Sequence, residues 1–106
     1  MTTFDKREET FERKFALDEE QKFKAEARRN KLLGLWAAEK QGISGEAAAT
    51  YAKDVVAADF EPGGDGVIRK VLGDLTAKGV AMTEPELRVK MDQLTATAVM
   101  QIKAGT

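Results

Sequence analysis

The sequence contains neither cysteine nor histidine, and each absence excludes a class of site. Without cysteine the chain has no disulfide framework, no thiolate metal ligand and no cysteine nucleophile. Without histidine it lacks the commonest metal ligand and the commonest general base. The one serine, Ser44, therefore has no imidazole to activate it. We predict that the protein is not an enzyme and holds no metal.

An excess of charge of either sign is also missing. The 106 residues include 17 Lys and Arg and 18 Asp and Glu, a net charge of −1. A nucleic-acid-binding domain usually carries a basic excess, so we expect no nucleic-acid partner. No apolar run approaches the roughly 18 residues of a membrane-spanning helix, and charged residues follow Met1–Thr3 at once. We therefore expect a cytoplasmic protein that does not insert into a membrane.

What the sequence has in abundance is Ala, Leu, Lys and Glu, which favour helix, while no stretch alternates with the period of a strand. Short turn-like segments, among them the Gly-rich stretch at 62–66, divide the chain into four helical patterns. Short connections make neighbouring helices antiparallel. The prediction is an all-α four-helix bundle with helices at about 18–41, 45–60, 65–78 and 84–103.

Individual residues sharpen this prediction. Ser44 and Asp65 stand where N-caps of the second and third helices belong. Thr83 and Glu86 have the spacing of a capping box at the start of the fourth helix. Phe60 continues the apolar face of the second helix. Gly34, inside the first helix, costs about 1 kcal/mol relative to Ala, so either a neighbouring helix packs closely there or the helix tolerates the cost.

The N-terminal 31 residues differ from the rest, because they hold 17 charges and four of the five Phe residues. Phe4, Phe11 and Phe15 are spaced by seven and four residues, which places them on one face of a helix. A short helix of this kind is marginal alone in water. Three interpretations stay open from the residues: an extension of the first helix, a disordered segment, or an amphipathic arm that inserts into a partner's groove.

Two further features are weaker candidates for binding. The stretch 62–66 precedes a helix, as a phosphate-binding loop does, but it lacks the Lys-Ser/Thr of such loops, and Asp65 would repel a phosphate. A connector is the better interpretation. Arg28, Arg29 and Lys31 form a basic cluster, which is either a solvated helix face or a secondary docking site for an acidic partner.

Four stretches resemble one family over nearly the whole chain: residues 4–15, 23–38, 51–60 and 87–92. The family is the zeta subunit of the alphaproteobacterial F1Fo ATP synthase, and the block from Arg28 to Ala38 is its most specific part. The resemblance implies a four-helix bundle over 18–104 and a regulatory role as an inhibitor of ATP hydrolysis by F1. It also implies that residues 1–17 are an inhibitory arm, flexible when free.

In the family, this arm is thought to enter the catalytic α/β interface of F1 as a helix, against the γ subunit, and to block rotation. The resemblance then assigns the arm residues their roles. The apolar anchors would be Phe4, Phe11 and Phe15, and the polar contacts at the rim would be Lys6, Arg7, Glu8, Glu12, Arg13 and Lys14.

The expected partners are thus the α, β and γ subunits of F1, which would hold the protein at the inner membrane without insertion. We expect a monomer when free, and no cofactor. The resemblance leaves weak binding of ATP or ADP open, although no phosphate motif supports it. The alternative function is a nucleotide-sensing or assembly-associated helical module without inhibitory activity.

Overall fold

The computed structural model describes residues 17–105, and these residues form four helices and no strand. The helices are α1 (Glu19–Lys40), α2 (Gly45–Ala58), α3 (Gly66–Ala77) and α4 (Glu84–Lys103). The predicted all-α, four-helix fold class is confirmed. The second helix ends at Ala58, two residues before the predicted end at about 60, so Phe60 lies outside it.

Two of the helices begin with a capping box. At the start of α4, the Thr83 hydroxyl accepts from the Glu86 N–H and the Glu86 carboxylate accepts from the Thr83 N–H, as predicted. At the start of α1, Asp18 Oδ1 accepts from the Gln21 N–H at 2.7 Å, and Gln21 Oε1 accepts from the Asp18 N–H at 3.2 Å. Asp18 has extended backbone angles, φ −74° and ψ 174°. These reciprocal bonds satisfy N–H groups that a helix start leaves without partners.

The other two helix starts differ from the prediction. Ser44 and Asp65 occupy the N-cap positions of α2 and α3, but neither side chain makes a capping hydrogen bond. The carboxylate of Asp65 lies instead 3.9 Å from the Arg88 guanidinium at the start of α4. Asp65 also lacks the extended backbone that directs a capping side chain toward the first turn, since its ψ is 13°.

Helix α1 is the central element, because α2 and α4 both pack along it and not against each other within the described chain. Gly34 contacts Ala52, whereas Ala27, earlier in α1, lines the same groove as Val56, later in α2, so these helices are antiparallel. Arg28 contacts Gln101, whereas Trp36, later in α1, lies beside Lys90, earlier in α4, so this pair is antiparallel as well. The core is apolar and combines all four helices. Its largest side chains without access to water are Leu33, Val55, Val71, Leu75 and Leu87.

Gly34 allows the closest contact between α1 and α2. A Cβ atom at this position would lie 2.6 Å from Ala52 Cα, well inside van der Waals contact. The helix therefore tolerates the poor propensity of glycine because the two backbones approach each other here. Of the two explanations that the sequence leaves for Gly34, close packing is the correct one.

A polar contact joins α2 to α3 beside this core. The Tyr51 hydroxyl donates to Asp74 Oδ2 at 2.8 Å, and Lys70 Nζ donates to the same oxygen at 3.2 Å. Burial and the hydrogen bond to Asp74 raise the pKa of Tyr51 above its ordinary value, so its phenol remains a neutral donor. The Lys70 ammonium also lies 5.0 Å from the centre of the Tyr51 ring.

Between Leu17 and Gly105, no helix is both long enough and apolar enough to cross a membrane.

Candidate functional site

The predicted arm lies outside the described residues, apart from Leu17. Its nine site residues therefore stay predictions: Phe4, Lys6, Arg7, Glu8, Phe11, Glu12, Arg13, Lys14 and Phe15. The point where this segment joins the bundle is described, and it lies at the capped start of α1. The first two turns of α1 are consequently the part of the bundle nearest to the arm in sequence.

The predicted secondary docking residues lie on different sides of α1. Arg28 is partly buried and donates from Nη1 to Gln101 Oε1 of α4 at 2.8 Å. Arg29 donates from Nε to Asn30 Oδ1 at 3.0 Å, and its Nη2 lies 3.8 Å from Glu26. Lys31 is exposed. The three residues do not form one solvated basic face, and their role in docking stays a prediction.

Two exposed phenylalanines mark a groove that the sequence did not reveal. Phe23 in α1 is 62% exposed, and Phe60, just beyond the end of α2, is 72% exposed. Phe60 was expected on the buried face of the second helix, but α2 ends at Ala58, and the chain turns away before Phe60 can reach the core. Both rings border a groove of about 400 Å³, together with Glu26, Ala27, Asn30, Val56, Asp59 and Gly64.

One of the residues that line this groove, Asn30, has a buried side-chain amide. Asn30 is 1% exposed, and its Oδ1 accepts the hydrogen bond from Arg29. Because an arginine N–H can only donate, that bond assigns the oxygen and nitrogen of the amide. The Nδ2 group then has no acceptor among residues 17–105. A buried donor without an acceptor costs about 1–3 kcal/mol, which is unusual for a structural side chain.

The groove also carries a pair of acidic side chains. Partial burial, followed by a hydrogen bond to Asp59 and the negative charge of Asp59, raises the pKa of Glu26 above its ordinary value. Arg29 opposes this shift in part. The Glu26 side chain is still 53% exposed, so water screens the interaction. A carboxyl pair of this kind favours the approach of a cation.

The groove presents side chains that suit the binding of a partner. Within the described part of the chain, no three acidic side chains converge as metal ligands would. Gly63 and Gly64 adopt positive φ angles of 100° and 78° in the turn between α2 and α3, where they reverse the chain. The groove offers a partner two exposed aromatic rings and two carboxyl groups.

Sequence reasoning missed Asn30 because Arg28, Arg29, Asn30 and Lys31 were interpreted as one polar stretch. A signal was available, since Asn30 lies three and four residues before the buried Leu33 and Gly34 and therefore on their helix face. The exposure of Phe23 was also indicated by the sequence, because Glu19, Glu20 and Glu26, three or four residues away, share its helix face.

Comparison with known proteins adds a family match and a related structure. The model of the family described as ATPase inhibitor subunit zeta matches residues 1–101. A search among curated proteins found no match. One solved structure, described as a solution NMR structure, is 53% identical in sequence, with a TM-score of 0.68. The match covers 79% of this chain and 96% of that one.

Proposed function

Because the chain belongs to the ATPase inhibitor subunit zeta family, we propose that it inhibits ATP hydrolysis by the F1 sector of ATP synthase. The observation that carries this proposal is the extent of the family match, which spans residues 1–101 and so includes both the N-terminal segment and the bundle. The protein acts as a regulatory subunit and not as a catalyst. It is held on the cytoplasmic side of the membrane through F1.

The inhibitory element in this proposal is the arm formed by residues 1–17. It enters the catalytic α/β interface beside γ and binds through its three phenylalanines, with its charged residues at the rim. Three Phe side chains that each bury 150–250 Å² contribute about 11–19 kcal/mol gross, at about 25 cal/mol per Å². Association and ordering of the arm offset much of this free energy.

Inhibition by this route needs only occupancy of the interface. A helix in the groove between two subunits opposes the closure that each hydrolytic step requires, so the arm needs no reactive group. The bundle is too large to enter the interface with the arm and stays outside it. Inhibition by occupancy agrees with a sequence that contains no Cys and no His.

The test is ATP hydrolysis by F1 that has been depleted of this subunit and then titrated with purified protein. The full chain should inhibit, whereas a triple Ala variant at Phe4, Phe11 and Phe15 should not. The matched control is Val89→Ala, which removes an exposed apolar side chain from α4 and should inhibit as the wild type does. A photo-crosslinking residue at position 11 should attach to α or β.

Two results would contradict the proposal. If the triple variant inhibits as strongly as the full chain, the arm is not the inhibitory element. If the wild-type chain binds F1 without slowing hydrolysis, the assembly-associated alternative replaces inhibition.

A further inference from the structure

The groove bordered by Phe23 and Phe60 has the properties of an occupied surface. Phe23 and Phe60 border the same groove, and each is more than half exposed. This exposure costs free energy because apolar surface remains in water. Exposed apolar patches of this kind mark interaction sites more often than isolated exposed residues do. The aromatic rims alone do not identify the occupant.

The acidic residues that line the groove restrict the chemistry of that occupant. The carboxyl groups of Glu26 and Asp59 should meet a cationic side chain. The matching ligand is therefore a peptide in which basic residues lie between aromatic ones.

We propose that residues 11–15 of this same chain dock in the groove. There Phe11 and Phe15 flank Arg13 and Lys14. The aromatic residues would pack against Phe23 and Phe60, and the basic residues would face Glu26 and Asp59. The docking is a property of the free protein, and only its consequence for inhibition rests on the proposed function.

The tether is long enough for this contact. Glu26 lies eight residues beyond Asp18, which is about 12 Å along α1. Five residues separate Arg13 from Asp18, and an extended chain of that length spans about 17 Å. A chain that reverses direction at Asp18 therefore brings Arg13 alongside Glu26. A short tether also gives an effective concentration in the millimolar range, so individually weak contacts suffice.

Docking on the bundle would compete with insertion into F1, because Phe11 and Phe15 cannot occupy both places. The groove then acts as a holding site from which the arm must be released before it inhibits. Mutations that weaken the groove should consequently strengthen inhibition, although they lie outside the arm.

Paramagnetic NMR on the free full-length protein tests the docking directly. The chain has no cysteine, so Thr10→Cys gives a single attachment site for a nitroxide label. Docking predicts strong broadening of the amide signals of Asn30, Asp59 and Gly64. The signal of Gly42, beyond the other end of α1, should remain sharp. The same sample after chemical reduction of the nitroxide provides the diamagnetic reference.

A second variant shows whether the aromatic groove is responsible. Phe60→Ala in the labelled chain should remove most of the broadening, and it should not disturb folding because Phe60 is exposed. Val89→Ala should leave the broadening unchanged. Uniform or absent broadening at the groove overturns the proposal, and so does broadening that Phe60→Ala does not reduce.

A mixed sample separates this proposal from docking between copies. Spin-labelled chain without isotope label is combined with isotope-labelled chain that carries no nitroxide. If the groove signals broaden in this mixture, the occupant comes from a second copy and the intramolecular proposal is wrong. Because F1 is absent from these experiments, their outcome is independent of the hydrolysis assay.

Discussion

Substitution of Gly34 by Ala tests the closest helix contact in the fold. The added Cβ would lie 2.6 Å from Ala52 Cα, 3.1 Å from Ala52 Cβ and 3.3 Å from Val55 Cβ. Carbon atoms pack best at about 3.5–4.0 Å, so α1 and α2 must separate by roughly 1 Å. The obstructing atoms include backbone, which cannot rotate away as the end of a flexible side chain would.

The expected loss follows from two opposing effects. Overpacking of a core typically costs about 1–3 kcal/mol, whereas Ala gains about 1 kcal/mol over Gly in helix propensity. Because backbone atoms obstruct the new Cβ, the upper end of the overpacking cost applies, and Gly34→Ala should lower the free energy of unfolding by about 2 kcal/mol. Gly73→Ala is the matched control, because Gly73 also lies inside a helix but its Cβ would meet no atom within 4 Å. This control should gain about 0.5–1 kcal/mol.

Thermal and urea unfolding, followed by circular dichroism at 222 nm, distinguishes the two variants. A change of 1 kcal/mol in a domain of this size moves the midpoint by roughly 4–8 °C, so the opposite signs are easily resolved. If Gly34→Ala stabilises the protein as Gly73→Ala does, the two helices do not approach each other as closely as described, and the packing argument fails.

Three further predictions concern the polar contacts and the arm. Tyr51→Phe should lower the free energy of unfolding by about 0.5–1.5 kcal/mol in urea titrations, since Asp74 loses one of its two donors; an unchanged midpoint would show that the bond contributes nothing. Glu26→Gln should stabilise the protein more at pH 7 than at pH 4. The reason is that the raised pKa of Glu26 favours the folded state only while that carboxyl is protonated, and this contribution is lost as pH rises through the raised pKa. The gain should stay below about 1 kcal/mol because the side chain is half exposed, and an equal effect at both pH values would contradict the pairing with Asp59. Phe11→Ala should weaken inhibition of F1 by about 2 kcal/mol, roughly 30-fold in the inhibition constant; unchanged inhibition would exclude Phe11 as an anchor.

The helices themselves were predictable from the sequence because their signals are local. The Thr83–Glu86 capping box and the Gly-rich stretch at 62–66 set boundaries that depend on a few neighbouring residues. Apolar residues at helical spacing in the third and fourth helices, Val71 and Leu87 among them, are buried in the core. The Asp18–Gln21 cap has the same local spacing, with an N-cap Asp followed three residues later by Gln.

The groove could not be predicted, because it depends on where helices meet. Phe60 follows the apolar spacing of α2, but the helix ends at Ala58, where Gly66 packs against the Ala58 carbonyl. The Phe60 side chain is therefore exposed to solvent. Glu26 and Asp59 are far apart in sequence, so no local pattern pairs them. The burial of Asn30 within a charged stretch is likewise decided by which side of α1 faces α2.

The capping box at Asp18 has a consequence for how the arm and the bundle move together. A single continuous helix running from the arm into α1 would need helical backbone angles at Asp18, and it would lose both reciprocal hydrogen bonds at a cost of about 1 kcal/mol. The extended backbone of Asp18 thus works as a joint between two segments. It lets the preceding chain leave at an angle to the axis of α1, so a helix bound in a partner's groove would not force the bundle into line with it.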